Sequence, residues 1–185
     1  MLKLRSKKII RLIYWVNYQQ HNLKTAVQTV NIINTRGFSI SESNIEDGLL
    51  KVVKNTSLLG RWQLLMKKPR VICDSAHNKE GLAYVLKQLS EEKYQILHII
   101  LGVVNDKKLE TILNLFPAKA QYYFCKPDIP RGLDAKILQE KAADFNLKGE
   151  LYTSVNEALN MAKIKANSDD LIFVGGSTFV VAEVV

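Results

Sequence analysis

The chain is poor in cysteine and has no apolar run long enough to cross a membrane. Its 185 residues include two cysteines, Cys73 and Cys125, each isolated within an apolar stretch. Such isolation argues against a disulfide framework or a cysteine metal site, and favours reduced thiols in the cytoplasm. The longest apolar runs, such as ILHIILGVV, fall far short of the roughly 20 residues of a membrane helix. The basic, then apolar start lacks a signal-peptide cleavage site, so we expect no membrane association.

Sequence motifs that form a phosphate-binding loop are also absent. No GxxxxGK[ST] occurs, and no GxGxxG follows a strand-like run. There is no HExxH, no CxxC and no Ser/His/Asp spacing either. Because a chain that holds ATP alone usually needs a phosphate-binding loop, the sequence does not predict a self-sufficient ATPase. It predicts no metal site of its own.

Positive charge is concentrated at one end of the chain. The net charge is +8, and residues 1–70 carry 13 Lys and Arg against 3 Asp and Glu, whereas residues 71–185 carry 13 against 15. A basic segment binds nucleic acid, another polyanion such as ATP, or only water. No interleaved aromatic pattern, zinc-finger spacing or RNA-binding motif accompanies the charge, so we expect no nucleic-acid partner.

From Arg70 onward, short apolar runs alternate with helical patterns. The strand-like runs are RVICD, YQILHIILGVV, QYYFC, GELYT and DLIFVGG, and helices are expected over about 78–91, in KKLETILNLF, in DAKILQEKAADF and over about 154–166. This alternation predicts parallel pairing through crossovers. The runs lack period-two alternation, which is typical of strands covered on both faces. We therefore predict a three-layer, Rossmann-like α/β fold for residues 70–185, with an open, mostly parallel sheet of five or six strands.

The first part of the chain is predicted to be a mainly helical appendage. Residues 22–35 have apolar positions at helical spacing, with Asn22 as a candidate cap and Gly37 as a stop. A second helix is expected over SESNIEDGLLKVV. Residues 57–69 are interpreted as a linker that Pro69 closes.

The stretch VICDSAHNKEGL brings reactive side chains to the end of a predicted strand. Asp74 suits a ribose, backbone amides or a helix cap, and Asn78 could likewise be only a cap. His77 is either a catalyst or a structural residue. Arg61, in GRWQ, has the fixed charge and forked donors that suit a phosphate, although most loop arginines are simply solvated. In an open α/β sheet, ligands bind beyond the carboxyl ends of the strands, where Asp74 to Asn78 lie.

Two further segments follow predicted strands. Gly175 and Gly176 precede Ser177 and Thr178, which indicates either an anion site or close packing of a strand and a helix. The stretch CKPDIPRG, residues 125–132, is interpreted as an ordered loop at the ligand edge or as an ordinary surface turn.

Seven segments, taken in order, resemble those of one family. They are YQQHNLKTAV, GFSISESNIEDGL, LLGRWQLL, PRVICDSAHNKEGL, ILGVVNDKKLETIL, KPDIPRGLDAKIL and DLIFVGGSTFVVAEVV. The chain resembles the C-terminal portion of folylpolyglutamate synthase/dihydrofolate synthase, of the Mur ligase superfamily. Arg61 and Asp74 are thirteen positions apart, as are the family's ATP-contacting Arg and Asp. Asn17 departs from the pattern, since the family usually has Gly before the Tyr-Gln pair.

The resemblance implies a fold and an activity. Residues 70–185 would be a C-terminal domain of the Mur ligase type, and residues 1–56 the tail of the central ATPase domain, a strand plus two helices. The family uses ATP to phosphorylate a carboxylate of dihydropteroate or a folate, and the amine of L-glutamate then displaces phosphate. The P-loop and the Mg²⁺ ligands are expected in the N-terminal ATPase domain.

The resemblance also implies roles for four side chains. Asn22 and Arg61 would contact ATP, Asp74 would hold the ribose region, and His77 would lie near the reacting centre. Arg61 and His77 are thus the predicted catalytic residues.

Several expectations and alternatives accompany this interpretation. Without the P-loop portion we expect the chain alone to be inactive, as a fragment, a truncated reading frame or the partner of a separately made half. Residues 1–56 are expected to form a homodimer or to be disordered. The alternatives are a Mur-type amide ligase with another substrate, and a non-catalytic binding module of the same fold.

Overall fold

A computed structural model describes residues 19–105 and 109–185 of the chain. The chain divides into two compact units, Met1–Leu59 and Gly60–Val185. Within the described residues, no helix is both long enough and apolar enough to cross a membrane.

The first unit is helical over its described part. It contains α1 (Gln19–Asn34), α2 (Glu42–Leu50) and α3 (Val52–Thr56). Ser41 begins α2 with a reciprocal capping box, because its side chain accepts from the Asn44 amide while the Asn44 side chain accepts from the Ser41 amide. Buried Leu23, Val27 and Ile45 supply its apolar interior.

Two predictions for the first unit need correction, and two cannot be compared with the structure. Asn22 does not cap α1, because the helix already begins at Gln19. The single helix expected over residues 41–53 is divided at Lys51, whose backbone leaves the helical conformation (φ −106°, ψ 14°). The strand expected at the start of the chain and most of the apolar segment expected to self-associate lie outside the described residues.

The second unit alternates strands and helices. Its elements are β1 (Gln63–Lys67), β2 (Arg70–Cys73), α4 (Lys79–Ser90), β3 (Leu97–Leu101), α5 (Glu110–Leu113), β4 (Gln121–Phe124), α6 (Ala135–Ala143), β5 (Gly149–Leu151), α7 (Val155–Lys165), β6 (Leu171–Gly175) and α8 (Thr178–Ala182). The six strands form one sheet in the order β1-β2-β6-β3-β4-β5. All neighbouring pairs from β2 to β5 are parallel, so the predicted open, mostly parallel α/β fold is confirmed.

The prediction that residues 57–69 form a linker is wrong for the second half of this segment. Residues Gln63–Lys67 form β1, an edge strand that pairs antiparallel with β2. The strand is short, its side chains are only partly buried or exposed, and its apolar residues 64–66 were assigned to the connector in the sequence. Pro69 lies in the turn between β1 and β2 instead of closing a connector.

Helices cover both faces of the sheet. Side chains of alternate strand positions, including Val71, Cys73, Ile100, Tyr123, Ile172 and Val174, are buried together with Ala158, Leu159 and Ala162 of α7 and with Val180 and Val181 of α8. The intervening side chains, including Ile99, Leu101, Phe124 and Phe173, point to the opposite face and are fully buried there. With the strand order β2-β6-β3-β4-β5, the usual right-handed crossover predicts that α4, α5 and α6 cover that second face.

The side chains of His98, Tyr123 and Asp170 form a buried polar network near the amino-terminal end of the sheet. His98 and Asp170 are 1% and 2% exposed. The His98 Nδ1 atom lies 2.9 Å from the Tyr123 hydroxyl, and Nε2 lies 3.5 Å from an Asp170 carboxylate oxygen. Burial lowers the pKa of His98, as does the nearby charge of Lys165, although Asp170 acts in the opposite direction. The imidazole is therefore neutral in the folded protein at neutral pH.

This buried histidine predicts that stability falls under mildly acidic conditions. An unfolded histidine titrates at about pH 6.5. Because the folded pKa is lower, the unfolded chain binds a proton below that pH which the folded chain does not, and the free energy of unfolding decreases as pH falls from 7 to 5. His98→Gln should flatten this slope in chemical denaturation. Equal slopes in His98→Gln and the parent would contradict the assignment.

Candidate active site

The candidate site lies where β2, β6, β3 and β4 end. Cys73 pairs with Val174 across β2 and β6, and the next amide, that of Asp74, donates to the Val174 carbonyl at 3.1 Å. The chain between β2 and α4, the turn after β6 and the loop after β4 all leave the sheet at this edge. Asp74 to Asn78 thus lies at the carboxyl ends of the parallel strands, where the sequence placed it, and ligand binding at this edge stays a prediction.

Asp74 is a fully buried carboxylate that holds two backbone segments together. It has no exposed surface, and one carboxylate oxygen accepts from the Trp62 amide at 2.7 Å while the other accepts from the Ala76 amide at 2.8 Å. It does not cap α4. Asn78 does, accepting from the Gly81 amide at 2.8 Å. Asp74 therefore shapes the loop before β1, and its predicted contact with a ribose stays a prediction.

The loop that Asp74 holds has an unusual backbone. Gly60 and Trp62 both lie in the left-handed region, with φ of 69° and 47°. The Gly60 carbonyl accepts from the Ser75 amide at 2.8 Å, and its own amide donates to the Gln63 side chain at 2.7 Å. A Cβ atom at Gly60 would lie 2.6 Å from Val181 of α8, so glycine is required here for two independent reasons.

Arg61 stands between these two left-handed residues. Arg61 is exposed, whereas the next residue, Trp62, is buried. The conformation of Arg61 therefore depends on the hydrogen bonds that Asp74 and Ser75 make to its neighbours. This dependence could not be read from the sequence, where GRWQ carries no turn signal apart from its glycine.

His77 connects the β2 end to the β6 end. Its Nδ1 atom lies 3.1 Å from the Ser75 carbonyl and 3.4 Å from the hydroxyl of Thr178. The ring is exposed. Thr178 was not singled out as a partner for His77 in the sequence, because 101 positions separate the two residues.

The glycines at the end of β6 serve close packing. A Cβ at Gly176 would approach Leu101 and the Gly102 carbonyl within 2.7 Å, and the φ of Gly176 is 94°. Ser177 caps α8 by accepting from the Phe179 amide at 3.2 Å. The packing interpretation of this segment is thus supported, and five-residue α8 offers no separate anion site.

Asn22, predicted to contact ATP, belongs to the first unit. It lies in the first turn of α1, is exposed, and its side-chain amide donates to Gln19 at 2.8 Å. Its contact with a nucleotide stays a prediction.

The part of the chain that the structure describes contains no group of three His, Cys, Asp or Glu side chains arranged to bind a metal ion. Both cysteines are buried free thiols. Burial, together with the charge of Asp74, raises the pKa of Cys73 to about 12, so this thiol is protonated at neutral pH.

The fold is an open, mostly parallel α/β domain with polar side chains at the carboxyl edge of its sheet, and comparison with known proteins gives its family. The family model for the Mur ligase, glutamate ligase domain matches residues 60–178, so the chain belongs to that family. The match begins at Gly60, where the second unit begins.

Known relatives carry more specific names. The probable bifunctional folylpolyglutamate synthase/dihydropteroate synthase of Haloferax volcanii is 33% identical over 167 residues, which cover 90% of this chain and 19% of the relative. The structure of Escherichia coli FolC in complex with DHPP and ADP has a TM-score of 0.70 at 28% identity and covers 84% of this chain. A bifunctional folylpolyglutamate synthase/dihydrofolate synthase with Mn, AMPPNP and L-glutamate bound also has a TM-score of 0.70, at 24% identity and 84% coverage. The chain covers 36% of each of these two structures.

Proposed function

We propose that this chain is the C-terminal domain of an ATP-dependent ligase that joins L-glutamate to dihydropteroate or a folate. ATP phosphorylates the acceptor carboxylate, and the glutamate amine attacks the acyl-phosphate carbon. A C–N bond forms, the C–O bond to phosphate breaks, and the amine loses a proton. The partners are ATP, L-glutamate, the pterin substrate and the remaining part of the ligase, and the expected location is the cytoplasm.

One observation carries the proposal: an exposed arginine, in a loop that is hydrogen-bonded to the segment after β2, lies at the same carboxyl edge of the sheet as an exposed histidine. Arg61 follows Gly60, whose carbonyl accepts from Ser75, and the Ser75 carbonyl in turn lies 3.1 Å from His77. A fixed guanidinium suits phosphate charge that grows during transfer. An imidazole at this edge suits the proton that the amine releases.

Asp74 contributes by holding Arg61 in position. Its two oxygens bind backbone amides on both sides of the site, so loss of the carboxylate would release the loop that presents the guanidinium. A ribose contact by Asp74 would need the buried carboxylate to become accessible. We retain the proposal that Asn22, which belongs to the first unit, contacts ATP.

Magnesium is not assigned to any residue of this chain. As the family resemblance implies, we propose that its ligands belong to the N-terminal ATPase portion, which this chain does not cover. No step of the proposed reaction is attributed to the metal here.

Two preparations test the proposal. In the first, the 185-residue chain alone should neither hydrolyse ATP nor add glutamate to any folate, because it lacks a phosphate-binding loop. In the second, a chimera of Escherichia coli FolC, in which this chain replaces the region that it matches, should form the folate–glutamate amide and release phosphate. Mass spectrometry of the product and a phosphate assay measure the two events.

The matched control is the same chimera carrying Arg61→Ala. A chimera that folds and binds ADP but forms no amide would argue against the ligase assignment. Turnover by the isolated chain would show that it contains a phosphate site which the sequence does not reveal.

A further inference from the structure

A cavity of about 370 Å³ lies at the amino-terminal edge of the sheet, opposite the candidate active site. Three segments of the second unit surround it: the turn between β1 and β2, the loop 91–96 before β3 and the loop 166–170 before β6. Strand β2 has four residues, Arg70–Cys73, so its two ends are about 13 Å apart. The cavity is therefore separate from the edge that carries Arg61 and His77.

Positive side chains predominate in the lining of this cavity. They are Lys67 and Lys68 of the turn, Arg70 of β2 and Lys93 of the loop before β3. The three lysines are exposed, and within residues 19–105 and 109–185 none of their side chains forms an ion pair or a hydrogen bond. Like charges around a concave surface add their potentials, so the cavity attracts anions.

Arg70 is engaged within the protein and fixes one wall of the cavity. Its Nη1 atom lies 2.9 Å from a carboxylate oxygen of Glu92, and its Nη2 atom donates to the Lys93 carbonyl at 3.4 Å. These contacts attach the start of β2 to the loop that carries Lys93, 23 positions further along the chain. Arg70 therefore supports the cavity, and the lysines are the groups that would contact a ligand.

The two acidic residues of the lining leave an excess of positive charge. Asp170 is 2% exposed, and its carboxylate oxygens accept from the Ile96 amide at 2.9 Å and from the Asn167 amide at 2.7 Å. Asp169 is exposed, and its backbone carbonyl accepts from the Gln95 amide at 3.0 Å. These hydrogen bonds also join the loops before β3 and β6. Three exposed lysines thus share a cavity of defined walls with one exposed carboxylate.

We infer that this lysine cavity, named after Lys67, Lys68 and Lys93, binds a small ligand that carries two or more phosphate groups. A lysine ammonium is a compact charge with rotatable donors and binds phosphate oxygens from many directions, whereas a planar carboxylate is better matched by the fork of an arginine. The terminal nitrogens of Arg70 are already engaged by Glu92 and a carbonyl. Several lysines from separate segments favour a ligand with several charges.

The size of the cavity and its place in the fold define the kind of site. Its volume lies at the lower end of the range for small-molecule sites, about 300–1,000 Å³. A ligand there would lie at the end of the strands away from Arg61 and His77. The inference does not depend on the proposed function, because none of the residues that carry it belongs to the candidate active site.

Titration of the 185-residue chain with inorganic pyrophosphate, followed by ¹H–¹⁵N NMR, tests the inference. The amides of Lys68 and of residues 93–95 and 168–170 should shift in a saturable manner. The double variant Lys68→Gln, Lys93→Gln should weaken binding by about tenfold or more, as expected when charge-assisted hydrogen bonds are lost. Because both lysines are exposed, this variant should unfold at the same temperature as the parent.

The matched control is the double variant Lys119→Gln, Lys148→Gln. It removes the same charge from exposed positions before β4 and β5, at the same edge of the sheet but outside the lysine cavity, and should leave the affinity unchanged. An equal loss of affinity in this control would show attraction by net charge and would overturn the inference.

Three further results would contradict a phosphate site in the lysine cavity. Shifts that stay linear in pyrophosphate concentration would show that the lysines are simply solvated. Saturable shifts confined to residues 61–62 and 74–78 would place the anion at the opposite edge of the sheet. Binding of citrate in the lysine cavity as tightly as pyrophosphate would show that phosphate is not the group recognised.

Discussion

Replacement of Arg61 by alanine is expected to lower the turnover number of the FolC chimera by about 100-fold, the size of effect seen when an enzyme loses one donor to transition-state charge. In the proposed reaction the guanidinium faces charge that increases as the phosphoryl group moves, so its loss should appear in kcat more than in the Michaelis constant for ATP. Steady-state kinetics with ATP and with L-glutamate separate the two parameters.

The control for Arg61→Ala is Arg36→Ala, which removes the same charge from an exposed position in the first unit. Its kinetics should equal those of the parent. Arg61→Lys keeps the charge but loses the forked donors, and it should recover only part of the turnover. Unchanged kinetics in Arg61→Ala would refute the assignment of this loop to the active site.

Replacement of Asp74 by alanine is expected to produce the largest loss of stability at the site. It leaves the buried amides of Trp62 and Ala76 without their carboxylate, at about 1–3 kcal/mol for each unsatisfied donor. Urea denaturation of the 185-residue chain measures the difference. Asn78→Ala removes only a helix cap in the same segment and should cost about 1 kcal/mol. A smaller loss in Asp74→Ala than in Asn78→Ala would contradict this description.

The function of Asp74 is separated from its stability effect by a double-mutant cycle. The milder Asp74→Asn is combined with Arg61→Ala in the chimera. If Asp74 acts by positioning Arg61, its substitution lowers kcat in the parent and changes little once Arg61 is absent. If Asp74 holds the ribose directly, the two effects multiply and the Michaelis constant for ATP rises instead.

The sequence determined those features that depend on local patterns. Continuous apolar runs such as the one ending at Cys73 predicted strands covered on both faces, because a strand buried on both sides has no polar face to alternate. Helix starts could be located in the same way, since Asn78 caps α4 through an amide only three positions away. The ligand edge followed from the same reasoning, because parallel strands end together.

Only the tertiary structure decided what the side chains at that edge contact. Asp74 binds the Trp62 amide, His77 lies next to Thr178, and Arg131 lies over Phe179. The partners in these pairs are 12, 101 and 48 positions apart, and the sheet order brings them together. Edge strand β1 was missed for a different reason: it pairs with β2 across a turn of only two residues, and its apolar residues 64–66 were assigned to a connector closed by Pro69. Local patterns report which face is buried, whereas contacts between distant segments arise only once the strands are ordered in the sheet.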